Sequence, residues 1–561
     1  MVLIRIFILC LLIIGNISLS FANEIRLEQT GINALDADEI EKLLESTTLE
    51  NAEAAADRIL NYYAIKGYYS ARIDTLMLFQ REDTTLIRLV INEGPLYSTG
   101  ELKITGETEF VPVKIPSRIG EPINIKLVRL DAKDIISRLA DEGHPHAVVE
   151  VIPVIQNSGN GAQVDFEFNV ITGEAVILDT VIFRGNKTTQ PQFLMREMRF
   201  KRSELYSKTK VNKQLSVLNR LGYISDAKQI GIGRQKDRTE ALVVELVESN
   251  ANRLNGIIGF IPEDRNEQGG FITGLLEFNF GNLFGSGREL DARWEKIDRN
   301  SEEINLSYDE PFPFGYPVKP GISFSQLVQD SSYIKRDLEL RIKIPLTFNL
   351  GIFANAAREK VNAREFGIRE LGLSDYSALS LTGGFNFDDR DFIFNPMSGV
   401  YYETSVTRTS RKEAGIGRIT GRRFGIRAEY YQKLTERSLL AISIDGYESR
   451  YNNSSVPFSE LYRVGGAGSL RGYREDQFRG ARVGWTNIEY RVITGKLSRM
   501  FIFGDAGFIS GTPNGRDESK LSYGAGIRLT TAIGQIGIDY GIGADDTFSN
   551  GKVHLSLNGV F

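Results

Sequence analysis

Side chains able to perform covalent or metal chemistry are scarce in this 561-residue chain. Cys10 is the only cysteine, and histidine occurs at positions 144, 146 and 554 alone. His144-Pro145-His146 has the outline of half a metal site, but no cysteine or third histidine lies near it, so a loop is the better account and no metal is expected. A Ser/His/Asp or Cys/His set needs a histidine beside the nucleophile, and none is suitably placed in the C-terminal half. Gly466-Ala467-Gly468 followed by Gly472 imitates a phosphate-cradling loop, yet it neither follows a buried strand nor opens a helix. Asp388, Asp389 and Asp391 lack the ligand spacing of a calcium loop, which leaves a turn. Arg408, Arg411, Lys412, Arg418, Arg422 and Arg423 form a basic stretch suited to a lumen rim or to anionic lipid, although most charge runs are simply solvated. The balance of 67 basic against 72 acidic residues gives no field that would favour a nucleic-acid partner. The expectation is therefore a protein that binds and positions without being an enzyme, and no cofactor is implied.

The elements that must position these residues fall into three parts. Arg5, the short apolar run Ile6–Ile14 and Ser20-Phe21-Ala22 read as a secretory signal, residues 1–22, cleaved after Ala22. The run is too short to span a bilayer, and no later stretch reaches the length of a membrane helix. Cleavage at Ala22 would remove Cys10 and with it any disulfide or thiol chemistry.

Residues 23–250 alternate strand-like and helix-like patterns and repeat. Helical stretches end at Gly67, Gly143 and Gly222 at nearly constant spacing, each where a helix terminus calls for a left-handed residue. Leu102–Gly106 and Val181–Gly185 open successive units at the same interval. The expected unit is strand, helix, helix, strand, strand, placed at 23–95, 96–173 and 174–250. Its helices are amphipathic, as in Ile40, Leu43 and Leu44, then Ala54, Ile59 and Leu60.

From residue 251 to 561 the period changes to two. Leu276, Phe278 and Phe280 alternate with Glu277 and Asn279, and Leu290, Ala292 and Trp294 with Asp291, Arg293 and Glu295. Tyr523–Leu529 and Ile536–Tyr540 continue the pattern. One charged face and one aromatic and aliphatic face favour lipid outside and water inside, so the expected fold is a transmembrane antiparallel β-barrel of roughly 16 strands. An open sheet would leave edge N–H and C=O groups unpaired in lipid. Val553, Leu555, Leu557 and Phe561 share one face of the final stretch, and an aromatic terminus on a lipid-facing strand is a mark of outer-membrane barrels.

The segment Tyr462–Tyr473 carries a family likeness. Its Leu470-Arg471-Gly472-Tyr473 resembles the V-R-G-F/Y tetrad of the outer-membrane protein assembly superfamily, the group of BamA- and TamA-like insertases and two-partner secretion transporters, with Leu replacing Val. Phe503-Gly504-Asp505-Ala506-Gly507 resembles the family's F-x-D-x-G strand motif, and Asn487–Arg491 offers Glu489 on the preceding strand. Tyr308–Phe312 and Asp389–Gly399 resemble further family turns, and the three repeats look like POTRA domains. The resemblance implies that the tetrad lies on the sixth extracellular loop, folds into the lumen, and pairs Arg471 with Asp505 and Glu489. A guanidinium shielded from water needs such fixed carboxylates. Gly472 would allow a tight, positive-φ turn, and Tyr473 would pack on the wall with its hydroxyl satisfied.

The implied protein is a bacterial outer-membrane assembly factor with three α+β POTRA-like domains in the periplasm. Its partners would be outer-membrane lipid, unfolded outer-membrane or secreted proteins, and an inner-membrane or periplasmic accessory protein. Clients would add as strands to exposed sheet edges. A weak seam between the first strand, containing Gly256 and Gly259 and running into Pro262, and the last, ending at Phe561, would part to template them. The alternatives are a dedicated secretion pore of the two-partner type and a passive porin.

Overall fold

In the computed structural model of the protein, residues 24–560 are described, apart from 31–36, 45–51, 82–83, 108, 110–117, 159–160, 235–238, 251, 262–270, 297, 414–416, 453–454, 532–533 and 545. The expected leader 1–22, Pro262 and Phe561 thus lie outside the described residues. The chain divides into two compact units, one holding the residues up to Ile177 with Leu205–Lys208, the other Leu178–Glu204 with Thr209–Phe561.

In the first unit, β1 (Glu24–Thr30) runs parallel to β3 (Thr84–Asn92), which pairs antiparallel with β2 (Arg72–Arg81). Helices Ala37–Leu44 and Ala52–Ile65 cover this sheet because Ile40, Leu44, Ala55, Ile59 and Tyr63 recur at helical spacing and bury against Ile87, Leu89 and Ile91. The inward alanine is Ala55, four residues before Ile59, whereas Ala54 is exposed. Strands β4 (Tyr97–Gly106), β5 (Val148–Ser158) and β6 (Gly161–Ile171) repeat the order as β4-β6-β5. Here one helix, Ile125–Asp141, is found among the described residues where two were expected. The Asn124 side chain caps it by accepting Lys126 N–H at 3.0 Å, and Val128, Ile135 and Leu139 bury against Phe166 and Phe168. It stops at Gly143 (φ +101°), beyond which His144 N–H returns to the Leu139 carbonyl at 2.8 Å. Gly67 (φ +97°) ends the earlier helix in the same way, with Tyr68 N–H on the Tyr63 carbonyl at 2.9 Å.

The third small sheet has the order β8-β7-β10-β9, from β7 (Ile177–Arg184), β8 (Glu204–Leu205), β9 (Ile224–Arg234) and β10 (Glu240–Glu248). Gly222 departs from the expected left-handed conformation. The helix Lys208–Asn219 unwinds through Leu221 N–H to the Leu218 carbonyl, and Gly222 is small for another reason: a Cβ there would stand 3.2 Å from the Phe394 ring and 3.4 Å from the Arg253 guanidinium.

A closed antiparallel barrel follows, with sixteen strands among the described residues. They are β11 (Asn252–Ile261), β12 (Phe271–Leu283), β13 (Arg288–Lys296), β14 (Glu302–Asp309), β15 (Lys319–Gln329), β16 (Tyr333–Pro345), β17 (Leu350–Ala363), β18 (Tyr376–Asp388), β19 (Gly399–Glu413), β20 (Gly417–Lys433) and β21 (Ser438–Tyr451). After a short hairpin of β22 (Tyr462–Val464) and β23 (Phe478–Gly480), the wall continues with β24 (Arg482–Ile493), β25 (Arg499–Ser510), β26 (Glu518–Thr531), β27 (Gly534–Gly543) and β28 (Lys552–Val560). The period-two pattern sorts the faces. Leu338, Leu381, Phe424, Ile444, Ile502, Tyr523 and Leu555 are exposed on the outside around the circumference. Asn255, Glu277, Asn279, Asp291 and Arg293 line a luminal cavity of about 520 Å³.

The third sheet's domain docks on the short connections at one barrel end. Arg199 donates to the Pro345 and Leu346 carbonyls at 2.5 and 2.8 Å, and Arg220 to the Phe348 carbonyl at 2.8 Å. Phe193 meets Phe312 edge-to-face, with ring centres 6.1 Å apart. Thr189 Oγ1 accepts Asn282 at 2.9 Å, and the Gly285 carbonyl accepts Gln190 N–H at 2.8 Å. The long connection between β21 and β24 leaves from the opposite end.

Candidate functional site

The connection between the eleventh and twelfth barrel strands is the sixth at its end, and it folds inward. Gly465 (φ +125°) and Gly466 (φ +90°) turn the chain after β22, with Gly465 N–H on Ser469 Oγ at 2.7 Å. Leu470 and Tyr473 then bury with Val464, Val483 and Ile509. This carries Arg471, 4% exposed, to the inner wall.

There Arg471 is held from every side. Asp505 accepts its Nη2 at 2.6 Å, its Nε at 3.0 Å and its backbone N–H at 3.1 Å, a bidentate grip with an added main-chain bond. Its Nη1 donates to Glu489, whose other oxygen accepts Arg491 Nε at 2.7 Å. The Phe503 ring centre lies 3.6 Å from the guanidinium carbon, a cation–π contact. Asn487 ties the acid to the loop, donating to Asp505 at 2.8 Å and to the Ser469 carbonyl at 2.7 Å. Alternation on β24 and β25 is what aims Asn487, Glu489, Phe503 and Asp505 at one point, as the family motifs imply. Leaving such carboxylates buried without their cation costs about 3–5 kcal/mol.

The glycines here are demanded by close approach. A Cβ on Gly507 would meet Leu470 Cδ1 at 2.6 Å, and one on Gly541 would meet the Arg471 carbonyl oxygen at 2.4 Å. Gly472 was expected to need positive φ and does not take it; a Cβ there would lie 2.5 Å from the Gly543 nitrogen. The loop backbone simply presses on β27. Tyr473 donates to the Leu521 carbonyl at 3.0 Å and packs edge-on against Phe478.

Sequence reasoning missed two anchors. His554 Nε2 lies 2.7 Å from the Arg471 carbonyl, so the last described strand also holds the loop. Its position opposite Val553 and Leu555 was legible as luminal, but its partner was not. The second is Glu460, in the 3-10 turn Phe458–Glu460 at the loop's base, which accepts Arg423 and Tyr451, each at 2.5 Å, with Arg411 at 3.5 Å. The basic stretch is therefore split by strand alternation: Arg411 and Arg423 point into the lumen, while Arg408, Lys412, Arg418 and Arg422 are exposed outside.

The decoys have structural roles. Glu475 fills the concavity beside Gly466 and accepts Ala467 N–H at 3.2 Å, which would repel a phosphate. Asp391 accepts the N–H groups of Phe392 and Met397, and Asp389 that of Val400, closing a turn. His144 is buried, with Nδ1 3.1 Å from the Gly173 carbonyl.

Of the expected seam, β11 and β28 pair among the described residues through Arg253↔Val560 and Leu254↔Gly559, whereas β11 and β12 pair from Asn252↔Phe280 to Ile261↔Phe271. Gly256 stands opposite Leu276, where a Cβ would meet the Leu276 side chain at 2.8 Å, and Gly259 stands opposite Thr273.

A closed barrel with an apolar exterior, a polar lumen and small α+β domains before it defines an outer-membrane barrel protein with periplasmic domains. Residues 282–558 match the Omp85 superfamily domain, and residues 176–249 match the POTRA model described as surface antigen variable number repeat. The chain is 23% identical over 570 residues to the outer membrane protein assembly factor BamA of Nitratidesulfovibrio vulgaris, covering 92% of this chain and 68% of that one. It is 22% identical over 459 residues to BamA of Neisseria meningitidis, covering 74% of this chain and 55% of the relative. Among solved structures, BamA from Haemophilus ducreyi lacking POTRA domains 1–3 superposes with a TM-score of 0.50 at 17% identity, covering 83% of this chain and all of that one. The chain belongs to the BamA/TamA-like outer-membrane assembly superfamily, with its barrel in the outer membrane and its POTRA region in the periplasm.

Proposed function

We propose that this protein assembles other proteins into the outer membrane, capturing unfolded clients on small periplasmic sheets and inserting them at the junction of β11 and β28. The observation that carries this reading is the short pairing of those two strands beside full ladders elsewhere. A strand end with unpaired N–H and C=O groups is a template for an incoming strand. The sheets of residues 23–95 and 96–173 act as two further POTRA domains. Each has the middle strand last in sequence, as in the matched third domain, and β5 is an edge strand exposing Val148, Ile152, Val154 and Ile155. Main-chain bonding to such edges tolerates clients of unrelated sequence.

The loop anchored at Arg471 keeps the lumen from being an open pore and stiffens the wall from β24 to β28, so that strain concentrates at the junction. Accessory proteins would bind the periplasmic domains, and the role is non-enzymatic. Cysteines placed at Leu254 and Gly559, which stand opposite each other, test the reading. Oxidation should halt insertion of a model barrel client into liposomes, and reduction should restore it, while the same pair at Phe278 and Ala292 on β12 and β13 should have no effect. Undiminished insertion by the oxidised Leu254–Gly559 protein would refute it.

A further inference from the structure

The outer face of β16–β20 carries cations in an arrangement that sheet energetics disfavour. Arg408 stands directly opposite Arg422, Lys412 opposite Arg418, and Arg336 opposite Lys360. All six are exposed on the outside of the barrel, and among the described residues none has a carboxylate partner. Directly opposed side chains sit about 5 Å apart at Cβ, where like charges repel. Their luminal neighbours show the contrast: Arg411 and Arg423 share Glu460.

Position narrows what could offset this repulsion. The pairs lie at the strand ends away from the docked POTRA domain, on the side where the sixth loop emerges. Leu379, Leu381, Val406, Phe424 and Ile426, all exposed, adjoin them on the same face. A ligand here touches apolar surface and cations together. The Arg408/Arg422 and Lys412/Arg418 pairs are four residues apart along β19, about 13 Å at the rise of a strand. Arginine pairs grip phosphate through several charge-assisted bonds. We propose that this face is a binding site for a phosphorylated membrane lipid of the outer leaflet, whose headgroup spans about the length of a disaccharide and bears a phosphate near each end. Its acyl chains lie along Leu381, Val406 and Phe424. A soluble polyphosphate would satisfy the cations and leave that apolar surface unmatched.

The test is native mass spectrometry of the full chain, delipidated in detergent and titrated with three probes: a bis-phosphorylated acylated glucosamine disaccharide, its dephosphorylated form, and inorganic pyrophosphate. The phosphorylated lipid should bind, and Arg408→Gln with Arg422→Gln should weaken it about tenfold or more. Arg408→Lys with Arg422→Lys, which keeps the charge and loses the planar fork, should bind more tightly than the Gln pair and more weakly than the unaltered protein, and Lys433→Gln at the opposite barrel end should change nothing. Folding of each variant is read from its heat-modifiable migration. If the double Gln variant does not fold, Lys412→Gln with Arg418→Gln takes its place. Equal binding of the dephosphorylated lipid, equal binding of pyrophosphate, or unweakened binding by the folded Gln variants would overturn the proposal. That result would leave the assembly reading intact, because the β11–β28 lock does not involve this face.

Discussion

Arg471 concentrates the chemistry of this protein in one buried cation. Its value is not the ion pair by itself, since charges taken out of water lose hydration that pairing only roughly restores. What it adds is position: three guanidinium nitrogens in a fixed plane meet Asp505 and Glu489 from two strands and leave the loop one place to sit. Arg471→Ala should therefore destabilise the docked loop by about 3–5 kcal/mol, because Asp505 stays behind as a buried charge without a cation, while Glu489 keeps Arg491. Asp505→Ala should cost a similar amount, and the double variant much less than the sum. Urea unfolding of the purified barrel measures this cycle, and additive effects would show that the two residues do not act as a pair. The motif made Arg471, Asp505 and Glu489 readable in advance. His554 and Glu460 carried no such signal, because only the closed wall brings them to the loop.

Strands and turns act here by what they force together. On β25, alternation sends Phe503, Asp505 and Gly507 to the same side, so one element supplies a ring, an acid and a gap for Leu470. At the junction of the third domain, Glu248 at the end of β10 accepts the N–H groups of Lys187, Thr188 and Thr189 at 2.8–2.9 Å. Partial burial pushes its carboxyl up, and these bonds outweigh that and hold it below the ordinary value. A carboxyl lowered on folding stabilises above its unfolded pKa, and the contribution is lost as pH falls through the folded value. The turn 187–190, which also binds the barrel through Gln190, should lose amide protection, taken relative to the intrinsic exchange rate at each pH, as pH drops below about 4. Glu248→Gln should weaken the turn at neutral pH and remove that pH response. Protection factors, which are exchange rates divided by the intrinsic rate at each pH, followed by mass spectrometry from pH 7 to 3 decide it, and protection that stays constant in the unaltered protein would be incompatible with this role.

Across the whole molecule, the decisive feature is the continuous belt of exposed apolar side chains around a cylinder with a polar interior. No soluble protein of this size leaves such a surface uncovered, because each exposed aliphatic side chain forgoes about 1.5–3 kcal/mol of burial. Stripped of detergent, the chain should associate or precipitate, and light scattering during detergent removal will follow it. A monomer folded in plain buffer would contradict the membrane assignment. Closure matters equally: among the described residues, sixteen strands satisfy one another's backbone groups around the ring, and the two-residue β11–β28 pairing is the shortest of the ladders.

The order of the residues by itself determined which face of each strand meets lipid, since a period of two has only two outcomes and burial selects one. It determined where the texture turns from helix-and-strand repeats to barrel. Tertiary structure alone decided that Gly472 and Gly222 are small for the sake of neighbours and not for φ. It also decided that the basic stretch divides between an internal anchor and an external patch, and that the last strand holds the sixth loop. These are contacts between residues far apart in sequence. They exist because a closed sheet fixes the distance between every pair of walls, a constraint that no local pattern contains.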